Sequence, residues 1–548
     1  MSLRTLVQMV QDGVRQQPDL DLLTFVDVAQ GGTFSESVRT YRQLLQNGER
    51  VAGALVAEGM GKGQAFAIIM RNHPEFVDAM VGSEIAGTIF VPIDPRTRGD
   101  KLIYMLRFAD CRGAIIADYV LPELLKILPE LPNLDWVWVV GEGAGHITST
   151  SARISTFGNI MRAGHPAPEI VTPELSQAMQ LLYTSGTTGD PKAIVSTYER
   201  FAAVASLGPV IGLKADDRLY TGLSLTHANA QLITLGNALN GGRRLVISRQ
   251  FTKSKLWEIL SRYGCTTFNL LGGMATAIYA EPAGPFDRKH KVRYVLSAGM
   301  PMAMWRGFEK RFGVEIFEFY GAAEGGMSLN PPAVGPIGSI GKPPPGLICK
   351  LFDENDVECP PGVLGEICFC PENAPVTPVA YLKNEAASAA KTRGGWFRTG
   401  DKGYKDAEGF LYFAHRMEDS IRRNGDFISA SQIETEIATL DGVADVYVYG
   451  VATADNAPGE KEVIAAIVLL PGHTFDPCLV FEHCRQKIGT NSVPGYVQIV
   501  SEIPKTASEK PQSRFLVNML TEDNASLFSP SGRAKITPLE SSLERKKI

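Results

Sequence analysis

The sequence predicts an α/β protein: a large N-terminal domain of βα-rich sheets packed with helices, followed by a small α+β domain. Three observations predict it. At 548 residues the chain exceeds what one hydrophobic core supports, so more than one domain is expected. From about Tyr41, helical patterns alternate with short apolar runs, as in LVAEGMGKGQAFAIIM followed by SEIAGTIFVPIDP; this is the rhythm of βα units around mostly parallel sheets. Near His415 the pattern changes. SQIETEIATL reads as an amphipathic helix, VADVYVYGVA and EVIAAIVLL as strands and FEHCRQKIG as a helix, a compact unit of about 100 residues. The boundary falls at Met417/Glu418, giving domains 1–417 and 418–515. Residues 516–548, polar and ending in a basic cluster, read as a tail with too little apolar area to pack.

Composition narrows the function classes. A hydrophobic fraction of 44% with 21% charged residues is that of a folded globular protein. The net charge of −5, with no dense Lys/Arg cluster before the extreme C-terminus, lacks the basic footprint of a nucleic-acid binder. Apolar runs such as Phe66 to Met70 and Val463 to Leu470 fall far short of the roughly 20 residues that span a bilayer. The N-terminus lacks a signal core and cleavage site, so a cytoplasmic location is expected. The eight cysteines are scattered, and the alternation of Cys368-Phe369-Cys370 suits a strand better than a metal knuckle.

The strongest local signal is LLYTSGTTGDPKAIVSTY, Leu181 to Tyr198. An apolar strand runs into Thr184, Ser185, Gly186, Thr187, Thr188 and Gly189, and then into Pro191 and Lys192. Glycines let main chain approach a phosphate, hydroxyls donate to it and a lysine adds charge, so the composition is that of a phosphate-handling loop. It is not the GxxxxGK[ST] loop, because Pro191 stands where that pattern needs its second glycine.

This loop resembles the signature of the adenylate-forming superfamily, which includes acyl-CoA synthetases, peptide-synthetase adenylation domains and beetle luciferases. Other segments agree in order: RTYRQL (Arg39 to Leu44), VPIDP ending at Pro95, EFYGAAEGG (Glu318 to Gly326), WFRTGDKGYKDAEGFLYFAHRMEDSIRRNGDFIS (Trp396 to Ser429) and PKTASEK (Pro504 to Lys510). The likeness spans roughly residues 20 to 515 and implies that superfamily's fold, with a mobile C-terminal domain. It also implies an ATP-dependent acid–thiol ligase: a carboxylate attacks the α-phosphorus of MgATP to give acyl-AMP and pyrophosphate, and a thiol, coenzyme A, then takes the acyl group and releases AMP.

The same resemblance assigns residues. Lys192 and Lys510 oppose the gathering negative charge, with Lys505 as the alternative to Lys510. His227 matches the aromatic gate or carboxylate-side position. Gly299, Met300 and Pro301, with Glu318, Phe319, Tyr320 and Gly321, flank the nucleotide, Asp401 takes the ribose, and Arg416 adds a second ribose or phosphate contact. Asp401, in an Arg-Thr-Gly-Asp turn, also suits that task chemically, since a carboxylate accepts from two hydroxyls. Thr184 and Glu324 hold Mg2+, which needs few protein oxygens because it keeps waters. Glu418 is the hinge, and Arg422, Asn424 and Gly425 face the thiol tunnel. Two positions depart from the family pattern: Ala323 stands where threonine is usual, and Glu509 where glycine is usual.

The acyl pocket implied is lined by LSLTHANAQ (Leu223 to Gln231), NLLGGM, SAGMP and YGAAEGG. Asn269, Gly272, Gly273, Ala298, Gly299, Ala322 and Gly325 leave volume for an acid larger than acetate. No aspartate lies in Leu223 to Gln231 to pair with an ammonium, which disfavours an α-amino acid. The pattern is closest to crotonobetaine/carnitine-CoA ligase-like and medium-chain ligase-like members. The partners expected are the acid, ATP and coenzyme A, with a homodimer as the assembly. Two other functions remain open: a stand-alone adenylation enzyme that loads a carrier-protein thiol, and a catalytically weak nucleotide-binding homologue, motivated by Ala323 and Glu509.

Overall fold

The computed structural model describes residues 3–29, 31–141, 152–183, 191–417, 421–423, 426–428, 430–452, 461–473, 475–488, 493–505, 511–522 and 526–534; at 422, 426, 427, 431, 432, 521 and 522 only the backbone is described. Thr184 to Gly189, Glu418, Asn424, Gly425, Glu509, Lys510, the connection from Glu142 to Ser151 and residues 535–548 therefore lie outside the described residues.

Two large sheets form the N-terminal part. One has seven strands in the order Arg153–Thr156, Trp136–Val140, Cys111–Ala117, Ala65–Ile69, Ile89–Pro92, Ala178–Tyr183, Ala193–Thr197. All its pairings are parallel except the last. The other has eight strands, ordered Met327–Asn330, Glu315–Gly321, Tyr294–Ala298, Thr267–Leu271, Leu219–Thr221, Leu245–Ser248, Leu23–Val28, Phe34–Arg39. It is parallel inside and antiparallel at both edges. Parallel interior strands covered on both faces read as continuous apolar runs, which is why AFAII and WVWVV are buried at every position.

Helices Tyr41–Ala57 and Pro74–Ala86 pack closely. A Cβ on Gly48 would lie 2.4 Å from a Val81 methyl, and one on Gly82 would lie 2.5 Å from a Val51 methyl. The two glycines set that approach, since any larger residue would push the backbones apart. A third, antiparallel sheet holds Leu347–Phe352, Gly365–Pro371, Phe397–Lys405 and Leu411–Arg416. Cys368 and Cys370 lie on its second strand, as their alternation suggests.

Past Met417, the hairpin Ile421–Arg423/Asp426–Ile428 leads to helix Ala430–Ile437, strands Val443–Val451 and Glu462–Leu469, helix Cys478–Lys487 and strand Tyr496–Ile499. The chain beyond 515 differs from the expected polar tail. Helix Ser513–Glu522 buries Leu516 and Leu520, and Leu527–Ser529 pairs with Tyr496–Ile499 and extends its sheet, with Leu527 buried. The polar residues that set the reading are interleaved with these leucines at helical spacing, and one amphipathic face suffices to dock a helix. Among the described residues no helix is long and apolar enough to cross a membrane.

Candidate functional site

Strand Glu315–Gly321 ends in a tight loop in which Ala322 and Gly325 exchange two main-chain hydrogen bonds of 3.2 Å. This short segment anchors the site. At its start, the Tyr320 hydroxyl donates to Asp401 Oδ2 at 2.5 Å, and Arg416 Nε approaches Asp401 Oδ1 at 3.4 Å. The Tyr320 ring stacks on Phe369, with centroids 6.2 Å apart, and Phe413 lies on it at 6.4 Å. Burial and the Asp401 carboxylate both push the Tyr320 phenol far above its ordinary value, so it remains a donor.

Asp401 is not in the turn its sequence suggests. It lies inside strand Phe397–Lys405 and is buried, paired with Arg416 of the neighbouring strand just before a register shift at Lys402/Gly403. Gly400, at φ +78, bends the strand ahead of it; its N–H donates to Glu366 Oε1 at 3.0 Å, and Thr399 Oγ1 accepts the Asp401 N–H at 3.0 Å. The Arg-Thr-Gly-Asp motif reads as a turn because a left-handed glycine is common there, whereas here it kinks an interior strand of a sheet at a register shift and aims a carboxylate.

At the other end of the segment, the Tyr381 hydroxyl donates to Glu324 Oε1 at 2.9 Å. Oε2 is left without a hydrogen-bond partner among the described residues. Lys192 Nζ stands 5.7 Å from the centroid of the same Tyr381 ring. Strand Ala193–Thr197, just after Lys192, forms an isolated bridge from Ile194 to Tyr381, so one main-chain contact joins the exit of the phosphate-type loop to the glutamate's partner. Among the described residues no three His, Cys, Asp or Glu side chains group as a metal cage. One carboxylate with an idle oxygen fits Mg2+, which takes phosphate and water oxygens for most of its shell.

Glu318 lies two residues before Tyr320 and takes no part in that surface. It is buried and accepts main-chain N–H groups from Gly299 at 2.5 Å and Met300 at 3.2 Å. Burial pushes its carboxyl up to about 8, although those donors pull the other way. Its visible work is to pin the Ala298 to Pro301 loop. Gly299 has φ +91, and a Cβ on Gly272 would lie 2.3 Å from the Gly299 carbonyl oxygen. Gly272 is thus small because main chain fills the space beside it; the reading that its size leaves room for substrate is corrected at this position. Asn269 is buried, and its Nδ2 donates to Asn229 Oδ1 at 2.7 Å.

His227 caps a further wall. Asn229–Leu235 is a π-helix, a form concentrated at functional sites because its wide turn costs stability. His227 Nε2 is shut from solvent and has no hydrogen-bond partner among the described residues. Burial lowers the imidazole to about 4, so the ring is neutral at physiological pH. The buried Gln180–Gln231 pair ties this wall to the strand that enters the phosphate-type loop, at 2.5 Å, and Gln231 Nε2 donates to Leu225 O at 3.1 Å. Asn72 holds the same stretch by its bonds to Leu223, Leu225 and Ser248.

The structure thus brings together Lys192, Glu324, Tyr320, Asp401 and Arg416. Phe319 and Gly321 lie on the same strand, Phe319 buried in its sheet. Arg422 is described by backbone alone, on strand Ile421–Arg423. Lys505, the alternative lysine, donates to Asp445 Oδ2 at 2.5 Å. Sequence reasoning missed Tyr381 and Arg200. Tyr381 meets Glu324 across 57 residues with no local motif to mark it. Arg200 gives a signal only as a charge in an otherwise apolar helix face, YERFAAVA.

A family model described as "AMP-binding enzyme" matches residues 10–372, and one described as "AMP-binding enzyme C-terminal domain" matches residues 432–510. Similar curated proteins include a medium/long-chain-fatty-acid–CoA ligase of Mycobacterium marinum, 29% identical over 488 residues covering 88% of this chain and 92% of the relative. A crotonobetaine/carnitine–CoA ligase of Salmonella typhimurium is 27% identical over 496 residues, covering 86% and 91%. Among solved structures, an anthranilate CoA ligase in complex with anthranoyl-AMP superposes with a TM-score of 0.82 at 25% identity, covering 95% of this chain and 98% of that one. A benzoate CoA ligase of Burkholderia xenovorans shares the fold, with a TM-score of 0.80 at 21% identity over 94% and 100%.

Proposed function

The chain belongs to the AMP-binding enzyme family, and from that premise we propose how its residues divide the work of an acid–thiol ligase. The enzyme forms acyl-AMP and pyrophosphate from a carboxylic acid and ATP, then transfers the acyl group to coenzyme A and releases AMP. One observation carries the assignment of roles. The five residues from Tyr320 to Glu324 are tied at one end to Asp401 and Arg416, and at the other to Tyr381 and Lys192. A nucleoside and its phosphates require that order of groups along one edge.

In this reading Asp401 accepts both ribose hydroxyls, and Arg416, half exposed, is able to follow the nucleotide. Tyr320 offers its ring to adenine and fixes Asp401. The loop from Thr184 to Gly189 and Lys192 take the phosphates. Glu324 and Thr184 hold Mg2+, which supplies charge neutralisation on the phosphate oxygens. Lys510 steadies the α-phosphate as the carboxylate attacks, in a step governed by positioning and electrostatics. His227, neutral, meets the acid as a hydrogen-bonding group rather than as a cation.

The domain division is proposed at Met417/Glu418. Support comes from the last described tie before it, Met417 N–H to Gly400 O at 2.9 Å. The small domain is proposed to run through the helix and strands beyond residue 515. Arg422, Asn424 and Gly425 are proposed to meet the pantetheine arm after rotation about Glu418. A cytoplasmic location is supported by the supply of ATP and coenzyme A there. The acid is proposed to exceed acetate in size and to lack an α-ammonium, since Leu223 to Gln231 carries no aspartate. A panel of carboxylic acids with ATP, Mg2+ and coenzyme A, scored by AMP release and thioester mass, tests the whole reading. Acyl-AMP without any CoA thioester would favour a carrier-protein acceptor, and ATP binding without turnover would favour a nucleotide binder.

A further inference from the structure

Arg200 lies in the first turn of helix Tyr198–Ala205, and its main-chain N–H is taken by Thr197 Oγ1. Its side chain reaches the site loop, where one guanidinium nitrogen, Nη2, donates to the Ala322 carbonyl at 2.9 Å. Its Nε is shut from solvent and has no hydrogen-bond partner among the described residues. Yet the residue as a whole retains some access, while burial is the largest influence on its charge, pulling its basicity down against the opposing field of Glu324.

A guanidinium carries five N–H donors in a fixed fork, and here a single acceptor is met among the described residues. Glu324 does not complete the fork. It feels Arg200 electrostatically but forms no ion pair with it, and Oε1 is committed to Tyr381. A charge held this way in a poorly solvated place is costly unless an anion arrives to meet it. Ala322 belongs to the YGAAEGG stretch that the family resemblance gives to the acyl pocket. The helix of Arg200 packs on the π-helix Asn229–Leu235 and the helix after it, where Asn237 Nδ2 donates to Val204 O at 3.0 Å. His227 Nε2, just before that π-helix, is also without a hydrogen-bond partner among the described residues. On the phosphate side Lys192 already stands beside Tyr381.

We infer that Arg200 binds an oxyanion carried by the acyl substrate, so that the preferred acids bear a second carboxylate remote from the one that is activated. The fork geometry suits it, because two parallel N–H groups meet two carboxylate oxygens. This rests on the ligase reading above. A phosphate of ATP offers the same oxyanion chemistry from another source, and the kinetic arms below separate the two.

The test compares diacids with monoacids of equal chain length, succinate against butyrate, glutarate against valerate and adipate against hexanoate, in AMP-release assays with coenzyme A. The wild-type enzyme is expected to favour a diacid at least tenfold in kcat/KM at its best length. Arg200→Met is expected to erase that preference through a higher KM for the diacid, with the KM for ATP unchanged within twofold, and Arg200→Lys to restore part of it. A wild-type preference for monoacids overturns the inference without any variant. So does a loss in Arg200→Met that is equal for both acid classes, or one that falls on the KM for ATP. Thermal stabilisation by non-reactive succinyl- and butyryl-sulfamoyl adenosine provides a binding arm that needs no turnover. If no acid reacts, the ligase reading fails. Stronger stabilisation of wild type by the succinyl probe, lost in Arg200→Met, still sustains the anion site, and equal stabilisation by both probes removes it.

Discussion

The Tyr320 hydroxyl donates to Asp401 at 2.5 Å across 81 residues of sequence, joining the end of the eight-stranded sheet to the third strand of the four-stranded one. The pair gives one carboxylate oxygen a fixed partner and leaves the other facing the half-exposed Arg416. Removing the carboxylate by Asp401→Ala is expected to raise the KM for ATP at least tenfold, about 1.4 kcal/mol, with little change in the KM for the acid. Tyr320→Phe keeps the ring stack and the Asp401 carboxylate itself and removes only a donor that fixes it, so its effect on the KM for ATP is expected to be smaller. An Asp401→Ala enzyme altered only toward the acid would remove Asp401 from the ribose.

Glu318 makes stability depend on pH in a direction opposite to that of most carboxylates. Its carboxyl is raised from 4.5 to about 8 in the folded protein. The folded state therefore holds a proton that the unfolded chain releases above about 4.5. The associated stability is fully present below 4.5 and is lost progressively as pH rises to about 8. Glu318→Gln keeps an acceptor for the Gly299 and Met300 N–H groups and cannot titrate. Urea unfolding from pH 4.5 to 9 is expected to show the variant gaining on wild type across that window, with a constant difference above it. A constant difference throughout would mean that Glu318 does not change its proton on unfolding in that range.

Ala323 lies in the loop closed by the Ala322–Gly325 hydrogen bonds and is only partly buried, so a threonine has room without breaking the turn. Ala323→Thr is expected to leave adenylation at the wild-type rate or to raise it, measured by pyrophosphate exchange. A loss of tenfold or more would mean that the loop is built around alanine.

The sequence carried what is local or periodic. Buried strands such as AFAII and WVWVV are readable as short continuous apolar runs, and the helix SQIETEIATL and the strand placing Cys368 and Cys370 by side-chain periods of 3.6 and 2. Asp401 was readable as a candidate ribose carboxylate through its motif, but not as a strand residue, because a left-handed Gly400 is compatible with a turn or a kinked strand alike. Tyr381 and Arg200 were not readable, since their meaning comes from Glu324 and Ala322 more than 50 and 120 residues away. The helix at Ser513–Glu522 was missed because polar and apolar residues alternate there at a spacing that only a docking partner makes significant.

Strand Leu411–Arg416 ends one residue before Met417, whose N–H to Gly400 O is the last described tie to the large unit, and the next described structure is the hairpin at Ile421. A rotation about Glu418 then breaks no described hydrogen bond of either unit. Proline at 418 fixes φ near −65° and is expected to hold one orientation. Pyrophosphate exchange should persist while CoA thioester output falls, or the reverse; equal loss of both would point to misfolding rather than trapping.

The two C-terminal lysines separate by what each already holds. Lys505 is committed to Asp445 at 2.5 Å, with side chains only 16% and 26% exposed. It also bridges to Pro511, while the Gln512 N–H reaches Pro504 O at 2.8 Å. Those contacts join the described chain on the two sides of residues 506–510, and with the Asp445 pair they give Lys505 the contacts of a structural strut. Lys505→Ala leaves a carboxylate without its partner in a partly desolvated place, and should destabilise the protein by about 1–3 kcal/mol in urea unfolding, with both half-reactions reduced together or not at all. Lys510→Ala should leave the unfolding midpoint unchanged and cripple pyrophosphate exchange, while thioester formation from pre-made acyl-AMP continues, because the lysine acts only while the phosphate chain is intact. If Lys510→Ala slowed both half-reactions alike, or if Lys505→Ala abolished exchange at unchanged stability, the roles of the two lysines would have to be exchanged.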